Sequence, residues 1–446
     1  MRKSINMTGG PLAGGILAFS IPLILSNLLQ VLFNMSDIAV VGQFAGSHAL
    51  GSVGSCTILV TLTTGLPLGL GGGVNALVAR CVGARDSQRV RESVDSAFAV
   101  ALIYGVLELI AAELAIPALL HALGTKEALM DGALIYMKVY ALGVPALMLY
   151  NFGNGVLSAN GDAKRPLYYL AGSGILNIGL NLLFVVVFQL SVLGVALASV
   201  ISQYVSCILI LLRLFTCKEE YGLSFKTLHP TRAAVRDVLV LGIPAGLQNS
   251  IFAVANLFIQ SAVNTFDTVM VEGNSAAANY DALIYDMMAG FYSACTTFIG
   301  QNYGARQRKR VMGSYLITMG YAFASAAVAG VCLRFFGTAA LRVFTSDGAV
   351  IEAGLKRLNI MAFSYCVSAF MDCTIAASRG LGKTIVPTIV VILGSCVFRI
   401  IWVYTIFARY HTIFSLYSLY VCSWSITAAL EILYFLKTYR RTFAAD

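Results

Sequence analysis

Asp37 is the only charge between Lys3 and Arg80, with 33 uncharged positions before it and 42 after. A carboxyl in such surroundings must hold a proton, bind a cation or collect hydrogen-bond donors. At 1.5 Å per residue it lies about 22 Å along a helix beyond Pro22. Asn177 and Asn181 are one turn apart and share a helix face. They and Ser199 fall at a comparable depth of later apolar stretches, and Asn154 and Tyr136 can reach the same layer. Such a group can carry a proton on Asp37 or hold a small cation, sodium for example, through oxygen ligands. The alternative is an uncharged packing network in which Asp37 stays protonated. The second half has its own ionisable residues in apolar stretches, namely Asp281, Asp286, Asp372 and Arg399. There, Arg399 is placed to neutralise Asp372 or another second-half carboxylate. Elsewhere, Glu113 is expected to pair with Lys138, and Glu431 to snorkel towards the inner surface.

The stretches that carry these residues span a bilayer. The chain has 446 residues, 58% hydrophobic and only 11% charged. An ordinary soluble protein carries about 25% charged residues. A soluble enzyme, a disordered chain and a secreted disulfide scaffold are therefore excluded, which leaves an all-α polytopic membrane protein. About 20 apolar residues cross a membrane as a helix. The gaps between charges accommodate twelve spans, near 16–43, 51–79, 94–117, 131–157, 167–188, 192–215, 238–265, 274–302, 312–335, 351–378, 386–408 and 414–436. A turn is expected at Gln189–Ser191. The start of the chain lacks a cleavable signal pattern.

The net charge of +9 has an address. Most Lys and Arg residues fall in alternate loops and the two tails, including Arg2, Lys3, Arg85, Arg89, Lys164, Arg165, Arg306, Arg310, Lys437 and Arg441. The opposite loops hold only Lys126, Arg334, Arg342, Lys356, Arg357 and Arg409. The positive-inside rule then puts both termini in the cytoplasm, and the basic excess reports topology rather than nucleic-acid binding.

The chain also repeats itself at an offset of about 221 residues. Gly83-Ala84-Arg85 with Arg89-Val90 recurs as Gly304-Ala305-Arg306 with Arg310-Val311. Ile21-Pro22 and Asn27 recur as Ile243-Pro244 and Asn249, and Gly161 and Pro166 as Gly382 and Pro387. Six spans per half give both halves one orientation, a plan used by transporters with a pseudo-two-fold axis along the membrane normal. The expected division is an N-terminal six-helix bundle at 1–215, a cytoplasmic linker at 216–236 and a C-terminal six-helix bundle at 237–446.

Two patterns are misleading. ASRGLGKT at 377–384 looks like a nucleotide-binding loop, but an apolar helix rather than a strand precedes it. Gly69, Gly71, Gly72 and Gly73 imitate a dinucleotide loop inside a span, where small residues let helices approach closely. The ten cysteines form no C-x-x-C and read as packing residues, and the four histidines lack metal-ligand spacing.

The chain resembles the multidrug and toxic compound extrusion (MATE) family over nearly its whole length. The resemblance rests on IPLILSNLLQVLFNMSDIAVVG at 21–42, the repeated GAR loops, the GDAKRP and RGLGKTIVP turns, and GVALASVISQ at 194–203. It implies two six-helix bundles around a cavity. It also implies export of cationic or amphipathic organic compounds driven by protons or sodium. On that resemblance Asp37 matches the acidic residue of the first span, and Gln30, Tyr136 and Asn154 match cavity positions. Asn177 matches the fifth-span asparagine, and Ser199 stands where a threonine is common. Asn181 departs from the pattern, because many members carry aspartate there. The segment 244–252, PAGLQNSIF, lacks the acid of the NorM-like branch and places the chain nearer the DinF-like one.

The expected activity is cation-coupled antiport by alternating access in a bacterial-type inner membrane. It needs no organic cofactor and no nucleotide, only a coupling proton or sodium, drug-like substrates and the lipid bilayer. A lipid-linked saccharide flippase calls for more cationic residues in the spans. An intramembrane enzyme calls for a nucleophile and base, or a metal dyad, at one depth.

Overall fold

The computed structural model describes residues 5–444; Arg2 and Lys3, counted above in the N-terminal tail, lie outside the described residues. Every regular element in it is a helix. Contacts gather the chain into two compact units, one holding Leu25–Ser250 and the other Met7–Ile24 with the chain from Ile251 onward. These units differ from the halves of the repeat in two segments. Helix α1, Leu12–Val40, starts in the second unit, and α9, Arg232–Val263, starts in the first.

In the first unit α1 passes through a π-helical turn at Val41–Ala45 into α2, Gly46–Ser55. Then come α3, Thr57–Gly83, and α4, Ser87–Ala122. The span expected at 131–157 is two helices, α5, Glu127–Ala141, and α6, Val144–Ala159, bent by 43°. Pro145 stands at the start of α6 without an N–H for the carbonyl of Ala141, so the helix breaks at Leu142–Gly143. Helix α7, Lys164–Asn181, runs into a second π-helical segment, Leu182–Val187. A turn with positive φ at Gln189 and Ser191 leads into α8, Ser191–Thr216.

The tightest seam in this unit joins α3 to the start of α9. A Cβ on Gly69 would lie 2.1 Å from the backbone nitrogen of Gly246, and one on Gly73 2.6 Å from that of Gly242. Gly65 faces Ser250 one turn further on. Apolar surface gains little by association within lipid, so such close backbone packing is what holds membrane helices together. The segment before α9 is pinned by α4: the backbone N–H of His229 donates to Asp95 and that of Thr231 to Ser96.

The second unit is built from α10, Thr268–Gly304, α11, Arg308–Leu341, α12, Gly348–Gly380, and α16, Ile413–Thr442. Between the last two runs a rod of α13, Ile385–Val391, α14, Phe398–Trp402, and α15, Ala408–Tyr410, interrupted by π-helical turns at Ile392–Val397 and Val403–Phe407. The ASRGLGKT stretch is the end of α12 and the turn that leads to α13, with a helix before it where a phosphate loop needs a strand. Here it is the start of α1 that is pinned. Arg310 donates to the carbonyls of Met7, Gly9 and Gly10 at 2.9, 3.3 and 2.9 Å, and to Asn302 at 3.0 Å. Asn302 in turn donates to the carbonyl of Met7 at 3.1 Å.

Among the described residues, ten helices are long and apolar enough to cross a membrane, and the bent pair makes an eleventh. The remaining expected span, 274–302, lies within α10, which is long enough but carries Glu272, Asn274, Asn279, Asp281 and Asp286. The repeat has a structural register. Arg85 and Arg306 share φ values of 56° and 55°, and Gly161 and Gly382 share 83° and 79°. Cys56, Leu120, Met130 and Met137 are core residues of the first unit; Ala277, Leu341, Ile351 and Leu358, one repeat further on, are core residues of the second.

Candidate functional site

Four side chains meet in the first unit. The Asp37 carboxylate accepts from Asn181 Nδ2 at 2.5 Å through Oδ1 and from Ser199 Oγ at 3.1 Å through Oδ2. Asn181 Nδ2 also faces Asn177 Oδ1 at 3.3 Å. Asn177, Asn181 and Ser199 are buried and Asp37 is half-buried. Thus α1, α7 and α8 each contribute to the group.

Local backbone geometry marks the same place. One turn after Asp37, α1 becomes π-helical at Val41; directly after Asn181, α7 becomes π-helical at Leu182. The two π segments pack on one another. Such turns insert a residue into the helical ladder and recur at functional sites. Tyr136 is buried in the same apolar cluster as Val40, Val41 and Val185, stacked on Tyr140 with ring centroids 5.8 Å apart. It borders the group without a hydrogen bond to it.

The chemistry follows from the donor set. Asp37 receives only neutral donors, and among the described residues no ion pair joins it. Asn181 Oδ1 is buried without a hydrogen-bond partner, on the same amide whose nitrogen meets the Asp37 and Asn177 oxygens. Oxygen ligands alone fit a hard monovalent cation, and a bare carboxylate fits a proton. The other two cavity residues lie apart. Asn154 accepts from Ser158 of its own helix at 3.3 Å, and Gln30 is on an exposed face of α1.

The second-half candidates do not form a similar group. Asp281 is in a buried ion pair: Arg357 donates to its Oδ2 through Nη2 at 2.5 Å and Nε at 3.0 Å. Arg357, counted above among solvent-facing loop charges, lies inside α12 and is 8% exposed. It also contacts Asn274 and stands 5.0 Å over the Tyr417 ring. Arg399 does not hydrogen-bond to Asp372. Its Nε donates to Ser423 at 3.2 Å, and its guanidinium lies 4.6, 5.5 and 5.6 Å from the rings of Tyr420, Trp424 and Phe252. Asp372 keeps one carboxylate oxygen, and Arg399 one amino group, buried without a hydrogen bond. Asp286 is half-buried on α10. Nor does Glu431 snorkel: it is fully buried, with neither carboxylate oxygen hydrogen-bonded. No ion pair joins Glu113 to Lys138 among the described residues, and Lys138 is exposed.

Comparison with known proteins follows the same repeat. The MatE family model matches residues 22–183 and again 244–405. The chain is 28% identical over 378 residues to the probable multidrug resistance protein YpnP of Bacillus subtilis (strain 168), covering 81% of each. It is 22% identical over 444 residues to the multidrug export protein MepA of Staphylococcus aureus (strain N315), covering 96% of this chain and 94% of that one. Among solved structures, the outward-facing conformation of a multidrug resistance MATE family transporter of the MOP superfamily superposes with a TM-score of 0.92. That structure is 24% identical, with 99% of both chains covered.

Proposed function

We propose, on the premise that the chain belongs to the MATE family, that it is a secondary-active exporter of organic cations or amphipathic drug-like compounds. Export is exchanged for an inward proton or sodium ion bound at Asp37. One observation carries this reading: a carboxylate inside an apolar unit is met only by neutral donors, beside an orphaned amide oxygen. That arrangement is incomplete without a mobile positive charge. The names of YpnP and MepA support the substrate class.

Ion binding at Asp37 acts through α1, α7 and α8. Without the ion, the ionised carboxylate accepts from Asn181 and Ser199 and holds the three helices together. When a proton or cation neutralises Asp37, those bonds weaken and the first-span helix α1 bends or repacks, with the π-helical turns at 41–45 and 182–187 as the places that can give. An ion or substrate shifts this equilibrium only by the difference in its affinity for the two arrangements, tenfold for each 1.4 kcal/mol. Both termini lie in the cytoplasm of a bacterial-type cell in this reading, which the bias of basic residues towards alternate loops supports. The absence of an acid in 244–252 supports an ion site in the first half, as in the DinF-like branch.

The test is efflux of a fluorescent organic cation from cells that express the protein. Asp37→Asn should abolish efflux while surface labelling shows an unchanged amount of protein in the membrane. Full efflux in that variant removes Asp37 from the mechanism.

A further inference from the structure

One repeat length carries each residue of the Asp37 group to a position in the second unit. At an offset of 221, Asn177 maps to Phe398, Asn181 to Trp402 and Ser199 to Tyr420, and Tyr136, which borders the group, maps to Arg357; Asp37, in the stretch where Ile21-Pro22 and Asn27 recur at an offset of 222, maps to Ile259. The shared positive-φ turns and matching core residues fix the 221-residue register independently of the site, and the Ile-Pro and Asn repeats set the 222-residue register of the first span. The first unit therefore has an acid with neutral oxygen partners at this layer. At the same layer the second unit has aromatic rings and a guanidinium.

The guanidinium is fully engaged. Arg357 pairs with Asp281 of α10 through two nitrogens, meets Asn274 through a third, and lies over the Tyr417 ring of α16. Tyr417 also donates to Asn274, and Tyr365 of α12 lies against Asp281. Arg357 and Asp281 side chains are 9% and 10% exposed, so both charges are largely shielded from solvent. A lone buried carboxylate needs a counter-charge, and here one is supplied covalently, from the next helix but one.

We infer that the second unit holds a cation site of its own, formed by Asp281, Asn274 and Tyr417, and that Arg357 permanently fills it as a tethered ligand. Its ligand class is a monovalent cation, and the occupant is the chain itself. The repeat then provides one exchangeable cation at this layer rather than two. The charged and titratable groups facing the pair are Tyr365 on α12 and Tyr417 and Tyr420 on α16; Arg399 is the next cation along the unit. The comparison with the first unit rests on the reading of Asp37 given above, whereas the assignment of Arg357 does not.

The test counts ions on the purified full-length protein. Bound 22Na⁺ is measured directly, and proton uptake is measured in weak sodium-free buffer on stepping from alkaline to neutral pH. Arg357→Gln, which leaves Asp281 uncompensated, should gain one ion per chain over wild type. The charge-neutral pair Asp281→Asn with Arg357→Gln should match wild type, and it serves where the single variant does not fold. Asp37→Asn should lose one ion. A pair variant that binds fewer ions than wild type shows that Asp281 exchanges an ion and overturns the assignment. An Arg357→Gln protein that folds and gains none overturns it too. If wild type and Asp37→Asn bind equally, the Asp37 reading fails, while the Arg357 comparison still stands or falls on its own variants.

Discussion

At the scale of single residues, the difference between Asp37 and Asp281 is the difference between a charge that waits for a partner and one that owns it. Asp37 has two neutral donors, and Asp281 a guanidinium at 2.5 Å. Removing one member of a buried pair strands the other, at a cost of about 3–5 kcal/mol. Asp281→Asn alone should therefore lower the thermal stability of the purified protein far more than the neutral double replacement, which a melting curve in detergent will read. Asn181 offers the complementary experiment. An aspartate there would put a second carboxylate against Asp37, and two such groups cannot both ionise without more positive charge. Asn181→Asp should steepen the ion dependence of efflux, its Hill coefficient rising from roughly one towards two. Asp37, Asn177, Asn181 and Ser199 were legible in the sequence because isolated polar residues at helical spacing stand out in apolar stretches. Arg357 was not legible. It sits beside Lys356 within three turns of a helix start, where a charge ordinarily reaches water, and only folding shows it turned inward.

Elements place these residues, and their departures from ideal helices are the informative parts. Charge gaps located the helices, and the Gln189–Ser191 turn was visible between two apolar runs. The bend at Leu142–Gly143 was foreshadowed only by Pro145. The π-helical turns left no mark, because their apolar composition is that of the α-helix around them. The glycines of α3 were readable as a packing stripe, but which of them face α9 depends on the fold. Gly69→Leu should separate α3 from α9 and abolish efflux, with a stability loss of about 1–3 kcal/mol from overpacking. Gly72→Ala, where nothing lies within 4 Å of the added carbon, should be silent in the same melting and efflux measurements. The pinned start of α1 makes a separate prediction. Met7 is fully buried under the Arg310 bonds, so a cysteine placed there should resist maleimide in the parent and react readily once Arg310→Ala is added.

For the whole molecule, the repeat is a scaffold whose two copies have diverged in charge. The family model finds both copies, and turns and core positions keep a common register. Yet α1 and α9 each begin in one compact unit and end in the other, an exchange that a reading of sequence halves does not contain. Long-range contacts decide it, in particular the Arg310 clamp and the α3–α9 glycine seam. Helix α1 thus carries Asp37 in the first unit and begins among residues packed in the second. The central claim is that Asp37 exchanges an inward cation for outward substrate. Its most direct test is transport of an organic cation by purified protein in proteoliposomes, with proton and sodium gradients imposed separately. Wild type should show uphill transport under at least one gradient, and Asp37→Asn none under either. Uphill transport by Asp37→Asn at the wild-type rate would contradict it.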